Sequence, residues 1–339
     1  MMGHVHLWAV ALIAALITGL LTPFLRDWLI RRNLVDLPGA RRSHSVPTPR
    51  GGGMAVVSAV IVANLVSGLP WWPGLFLLLI LGILGWVEDW HELSPLPRLA
   101  AQAVIAVLAL WLIGPVTSVW IFGWMIHLPW FWTLLSGIAI VWLINLHNFM
   151  DGSDGLAAMQ GFWSGLAMAG LMLRAELFIH AVFALALAGG YAGFLFWNRP
   201  PARIFMGDSG SMALGGGVAL LALAGAASGE VSIWVSLIVT SLFVVDATAT
   251  LARRVINGEQ WYNAHRQHAY QRLIAAGWGH GSVLVLYGAI NLGLVLPVTL
   301  LAIAHPQLEA MLAFILVGLL LGGWWVIQIA TNRENRLHG

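Results

Sequence analysis

The chain has no cysteine and no lysine, and charged residues occupy only 9% of its 339 positions. Absence of cysteine excludes disulfides and thiolate chemistry. Scarcity of charge, against 60% hydrophobic residues and a mean hydropathy of +0.85, excludes a water-covered surface. Low-complexity tails, fixed-period repeats and loops of soluble-domain size are also missing, so residues 1–339 read as one domain.

What the chain has instead is long apolar runs. A bilayer core asks for about 20 largely apolar residues per helix. Eleven segments qualify, roughly 5–25, 52–69, 73–88, 99–114, 130–147, 156–173, 177–197, 211–228, 231–252, 282–304 and 308–329. The expected fold is an all-α, polytopic membrane helix bundle of about eleven transmembrane helices. The first run reads as an anchor rather than a cleaved signal. Its positive charges, Arg26, Arg31 and Arg32, follow the run instead of preceding it, and no small-residue cleavage site is evident.

All 16 basic residues are arginine. If the spans alternate, every arginine except Arg174 falls on one side, a strong positive-inside pattern. It predicts a periplasmic N-terminus, a cytoplasmic C-terminus and a bacterial inner-membrane location. The cytoplasmic loops are then about 26–52, 88–98, 147–156, 198–211 and 253–281. The pI near 9.5 reflects loops facing anionic lipid head groups, not nucleic acid. The 19 tryptophans cluster near span ends, as Trp71, Trp72, Trp86, Trp90, Trp130, Trp132 and Trp197 do, which reads as an interfacial belt.

The acids divide by side. Glu176, Glu230 and Glu309 fall in short outer turns and need no function. On the inner side, Arg41-Arg42-Ser43-His44 leads into Pro47-Thr48-Pro49-Arg50-Gly51-Gly52-Gly53, a stiff then permissive loop whose backbone can approach a ligand. Next come Glu88-Asp89-Trp90-His91-Glu92, a pair of adjacent acids able to hold a cation or act as a base, or simply a charged helix end.

The third loop, Asn145-Leu146-His147-Asn148-Phe149-Met150-Asp151-Gly152-Ser153-Asp154-Gly155, places amides and carboxylates at three-residue spacing. Such groups can read a base or ribose, organise Mg²⁺ or bind hydroxyls. It lacks the spacing and terminal glutamate of a calcium loop.

The fourth loop runs from Asn198 through Phe205-Met206-Gly207-Asp208-Ser209-Gly210-Ser211. Asp208 and Ser209 are either helix caps or, at a helix start with free N–H groups, part of a phosphate and metal site. The fifth, Trp261-Tyr262-Asn263-Ala264-His265-Arg266-Gln267-His268-Ala269-Tyr270-Gln271-Arg272, suits a diphosphate through its arginines. His265 and His268 have zinc-like spacing but no third ligand. Asp246, within the ninth span, is expected either to pair with Arg253 or to serve function.

In this order the five loops resemble the polyprenyl-phosphate N-acetylhexosamine-1-phosphate transferases, glycosyltransferase family 4, over nearly the whole chain. The resemblance implies a Mg²⁺-dependent enzyme, with Mn²⁺ as an alternative ion. The phosphate of undecaprenyl phosphate would attack the sugar-bearing phosphorus of a UDP-N-acetylhexosamine and release UMP. Carried over by position, Asp208 matches the metal-binding aspartate and Asp89 the base, with Asp89 also a metal-ligand candidate and Glu88 beside them as a further catalytic candidate.

Asn148, Asp151 and Asp154 match the nucleotide site, with Asn145 a further substrate-binding candidate, and Asn198 and Phe205 match the surroundings of the uracil. Arg50, His265, Arg266, His268 and Arg272 join them as substrate-binding candidates. Glu88 departs from the usual aspartate, and His265-Arg266-Gln267-His268 from the usual histidine run. This form resembles the branch that starts O-antigen or related lipopolysaccharide chains with sugars such as GlcNAc or FucNAc. A homodimer is a candidate assembly. The competing readings are a lipid-linked glycan flippase, which should carry its charges at midplane, and the same reaction on a peptidoglycan or teichoic-acid precursor.

Overall fold

The computed structural model describes residues 2–36, 47–91, 93–260 and 265–337. Arg41, Arg42, Ser43, His44, Glu92, Trp261, Tyr262, Asn263 and Ala264 of the sequence reading lie outside these. Apolar runs make helices because lipid cannot satisfy a bare backbone, so each segment must satisfy its own N–H and C=O groups.

In order these are α1 (Met2–Arg31), α2 (Gly53–Val66), α3 (Trp72–Trp90), α4 (Pro95–Ile113), α5 (Pro129–Phe149), α6 (Leu156–Arg174), α7 (Phe178–Asn198), α8 (Gly207–Ser228) and α9 (Ile233–Ile256). They continue with α10 (Ala269–Ala275), α11 (His280–Ile290), α12 (Leu296–Ala304) and α13 (Glu309–Leu337). Proline stands in the first turn of α3, α4 and α5, where its missing N–H costs nothing.

Among the described residues ten helices are long and apolar enough to cross a bilayer. The eleventh expected segment, α2, is apolar but only 14 residues long, about 21 Å at 1.5 Å per residue. The expected run 282–304 is not uniform. A π-helical turn, Asn291–Val295, joins α11 to α12 just before Pro297, which cannot donate to the preceding turn.

Two small ribbons interrupt the helices. Strands β1 (Val35–Asp36) and β2 (Thr48–Pro49) pair antiparallel, as do β3 (Ser118–Ile121) and β4 (Trp124–His127). Phe122 and Gly123 both have positive φ between β3 and β4, the two-residue turn that suits a twisted hairpin.

Helix α8 is the centre of the bundle and is buried along nearly its whole length. Its run of glycine, serine and alanine explains this, because small residues let backbones approach where lipid gives no drive for association. A Cβ on Gly53 of α2 would meet the backbone of Gly210, and one on Gly85 of α3 the backbone of Asp208 and Ser209. Both contacts grip the first turn of α8.

Candidate active site

The first turn of α8 gathers the polar residues. Asp89, at the end of α3, has no exposed side-chain surface. Its Oδ1 accepts the N–H of Asp208 at 2.8 Å and its Oδ2 the N–H of Ser209 at 3.1 Å. From sequence these N–H groups are expected to be free for a phosphate, or capped by Asp208 and Ser209 themselves. Instead a neighbouring helix caps α8, because Gly85 lets α3 come close enough for the next turn's acid to reach.

Arg50 spans both acids, with Nε 2.9 Å from Asp89 Oδ1 and a terminal nitrogen 2.6 Å from Asp208 Oδ1. Burial disfavours its charge, yet the Asp208 and Asp89 carboxylates raise its pKa above the ordinary guanidinium value. Arg50 is held there by backbone. The N–H groups of Gly51 and Gly52 donate to Phe205 O, Gly53 N–H to Met206 O, and Phe205 N–H to Pro49 O. The glycine run thus pairs with the loop that precedes Asp208.

Asn148 completes the α8 cluster, its amide donating to Asp208 Oδ1 at 2.8 Å and to Ser211 Oγ at 2.9 Å. Just beyond it lies Asp151, also facing this cluster. Withdrawal from solvent pushes the Asp151 carboxyl well above the usual carboxylate range, Arg50 opposing the rise and Asp208, Asp89 and Asp154 adding to it.

These groups open into a cavity of about 430 Å³, a size typical of small-ligand sites. Its wall carries Arg50 and Asp36 from the first loop, Asn148 and Asp151 to Asp154 from the third, Asn198, Phe205, Gly207 and Asp208 from the fourth, and Arg266, Gln271, Ile274 and Ala275 from the fifth. Four loops far apart in sequence therefore share one polar hollow at one end of the bundle.

Other singled-out residues serve the loops themselves. Asn198 is 2% exposed; its Oδ1 accepts Gly155 N–H and its amide donates to Ile204 O, both at 2.9 Å. Gly155, at φ +77°, turns the chain into α6 there, a conformation glycine adopts without cost. Asp154 Oδ2 accepts Ala202 N–H, and the Asp154 N–H donates to His280 Nδ1.

Glu88 points elsewhere and pairs with Arg98 at 2.6 Å. Asn145 bonds Gln102 across α4 and α5. His265, His268 and Arg272 lie off the cavity wall. Burial, with His268 and Arg254 nearby, lowers the His265 pKa to about 4.

Asp246 is not paired with Arg253. Arg253 bonds Gln328 at 2.6 Å, while Asp246 accepts from Ala269 and Tyr287. Arg253 shares the face of Asp246 but stands about 10 Å further along the axis, at 1.5 Å per residue, where it meets Gln328 on α13, while the start of α10 folds back to reach Asp246. His280, Tyr287, Gln102 and Arg98 carried no signal in the sequence, because their partners are set by helix packing and not by spacing.

A glycosyl transferase family 4 model matches residues 71–226, a stretch holding Asp89, Asn148, Asp151 and Asp208. The chain is 31% identical over 303 residues to a probable undecaprenyl-phosphate N-acetylglucosaminyl 1-phosphate transferase of Bacillus subtilis, covering 82% of this chain and 80% of that protein. It is also 31% identical to a phospho-N-acetylmuramoyl-pentapeptide-transferase of Picosynechococcus, over 86% and 85% of the two chains. A phospho-N-acetylmuramoyl-pentapeptide-transferase of Synechococcus elongatus is 35% identical over 60% of each. With likeness of this extent, the chain belongs to glycosyl transferase family 4, as a polyprenyl-phosphate hexosamine-1-phosphate transferase.

Proposed function

We propose that the protein transfers an N-acetylhexosamine 1-phosphate from a UDP-sugar to undecaprenyl phosphate at the cytoplasmic face of the bacterial inner membrane, and so starts an O-antigen or related surface glycan. The observation that carries this reading is the cavity itself. Acids and arginines converge at one end of a lipid-embedded bundle, where a soluble nucleotide and a lipid phosphate can meet. A flippase is disfavoured because these charges sit at helix ends and not at midplane.

Phosphoryl transfer needs alignment and charge neutralisation more than covalent help. An oxygen of the lipid phosphate forms a bond to the sugar-bearing phosphorus. The bridging P–O bond breaks, and its electron pair leaves on UMP. Arg266 faces the donor's phosphates from the fifth loop, and Asn148 and Asp151 its nucleoside. Arg50, held by two carboxylates, supplies a fixed positive charge beside the reacting oxygens. Asp89 holds the start of α8, and hence Asp208, in place.

The residues fit the Mg²⁺ that the family resemblance implies. Asp208 and Asp151 offer hard oxygen donors on the same cavity wall. Mg²⁺ is usually held by one or two carboxylates plus phosphates and water. Such an ion, when bound, neutralises charge on the diphosphate.

The purified protein should release UMP from a UDP-N-acetylhexosamine only with undecaprenyl phosphate present, and EDTA should stop it. Folded protein that releases none with any donor would overturn the reaction. The muramoyl-pentapeptide reading rests on two of the relatives named above, and the donor panel separates it: turnover of UDP-N-acetylmuramoyl-pentapeptide but not of UDP-GlcNAc or UDP-FucNAc would establish it instead.

A further inference from the structure

Asp246 is 4% exposed within α9, where an acid is costly unless its partners repay it. Its partners come from later in the chain. Oδ1 accepts the N–H of Ala269, the first residue of α10, at 2.8 Å, and Oδ2 the hydroxyl of Tyr287 on α11 at 2.6 Å. His268 Nδ1 stands 3.7 Å from Oδ1. Asp246 thus does for α10 what Asp89 does for α8, bonding the start of one helix from the side of another.

The element it holds borders the cavity. Gln271, Ile274 and Ala275 of α10 lie on the wall, with Arg266 just ahead of them. Tyr270 Oη donates to Phe149 O at 3.0 Å, and His268 stacks on Phe149 at a ring separation of 6.4 Å. Phe149 adjoins Asn148, the residue that bonds Asp208.

We propose that Asp246 is a positioning residue for the donor nucleotide. It sets the place of Arg266 and α10, and through Tyr270 the Asn148–Asp151 turn, without touching substrate. The inference rests on the reading of the cavity as the UDP-sugar site. An acid that merely locked the bundle would change melting and leave donor affinity alone.

The test compares wild type with Asp246→Ala, Asp246→Asn and Tyr287→Phe, measuring KM for UDP-sugar and for undecaprenyl phosphate and, independently of turnover, the Kd of UMP. Asp246→Ala should raise the UDP-sugar KM and the UMP Kd by about tenfold, the scale of a lost hydrogen bond to a charged group. The undecaprenyl-phosphate KM should hold. Asp246→Asn, which keeps a carbonyl for Ala269, should recover most of the loss, and Tyr287→Phe should shift the same two constants by less.

Unchanged UMP affinity in folded variants with lowered melting temperature, or equal loss for both substrates, would overturn the proposal. Should Asp246→Ala fail to fold, the Asn and Phe variants decide it by the same constants. Wild type that binds UMP but releases none from any donor would sink the proposed reaction while the UMP comparison still tests Asp246. No UMP binding by folded wild type would overturn both.

Discussion

Asp89 Oδ1 accepts the backbone N–H of Asp208 at 2.8 Å, across 119 positions of sequence. One acid of the site therefore supports the other. Both are tied by the same guanidinium, that of Arg50, so the two carboxylates and the start of α8 form one unit. Asp208 keeps 14% of its side chain exposed while Asp89 keeps none.

This difference separates two variants. Asp208→Ala should lower UMP release at least about 100-fold, on the scale of losing a preorganised charge partner, and lower melting less than Asp89→Ala does, since it frees Arg50 and Asn148 but leaves the cap on α8. Asp89→Ala should lower both, because it removes a helix cap of about 1 kcal/mol and strands part of Arg50. Turnover assays and thermal melts in detergent check this; normal melting of Asp89→Ala would remove its supporting role.

Arg50→Lys should behave as a severe substitution. Arg50 reaches Asp89 and Asp208 with two different nitrogens of one planar group, and an ammonium is a single point charge. A fall in turnover of about tenfold or more is expected. Wild-type rates for the lysine variant would show that charge alone suffices.

Gly85→Ala should damage the site through packing alone. The added Cβ meets the Asp208 carbonyl and Ser209 nitrogen, and overpacking of this kind costs about 1–3 kcal/mol. Gly170→Ala is the control, since a Cβ there meets nothing within 4 Å. Melting and UMP release of the two variants, measured side by side, decide it.

His265 makes stability depend on acid. Its pKa is lowered to about 4 by burial, then by His268 and Arg254, against about 6.5 in an unfolded chain. As pH falls through 6.5 the unfolded chain takes up the proton first, so the stability present above that pH is lost progressively toward pH 4. His265→Gln should flatten this slope. Melts of both proteins between pH 7 and 5 test it; parallel curves would exclude His265 as the source.

The acids at 89, 151 and 208 stood out in the sequence because a chain with only 14 acidic residues and short loops gathers these three, with their amide and glycine neighbours, on the arginine-rich side of the spans. What each does was less legible. Asn198 and Asp154 show the same residue types as a ligand site, yet bond the backbones of Gly155, Ile204 and Ala202. A carboxylate or amide that closes a loop and one that meets a nucleotide are alike in one dimension.

Sequence alone determined that the chain lives in lipid, roughly where its helices run, and which loops carry its clustered polar residues, because hydropathy and charge act on each segment without regard to its neighbours. Tertiary structure decided the rest: that Asp89 caps α8, that Arg50 joins two acids, that Glu88 turns to Arg98 and that Asp246 reaches Ala269 and Tyr287 instead of Arg253. These depend on how closely α3, α8 and α9 approach other parts of the chain. Glycines such as Gly53 and Gly85 permit that approach, but only packing selects which backbone they meet.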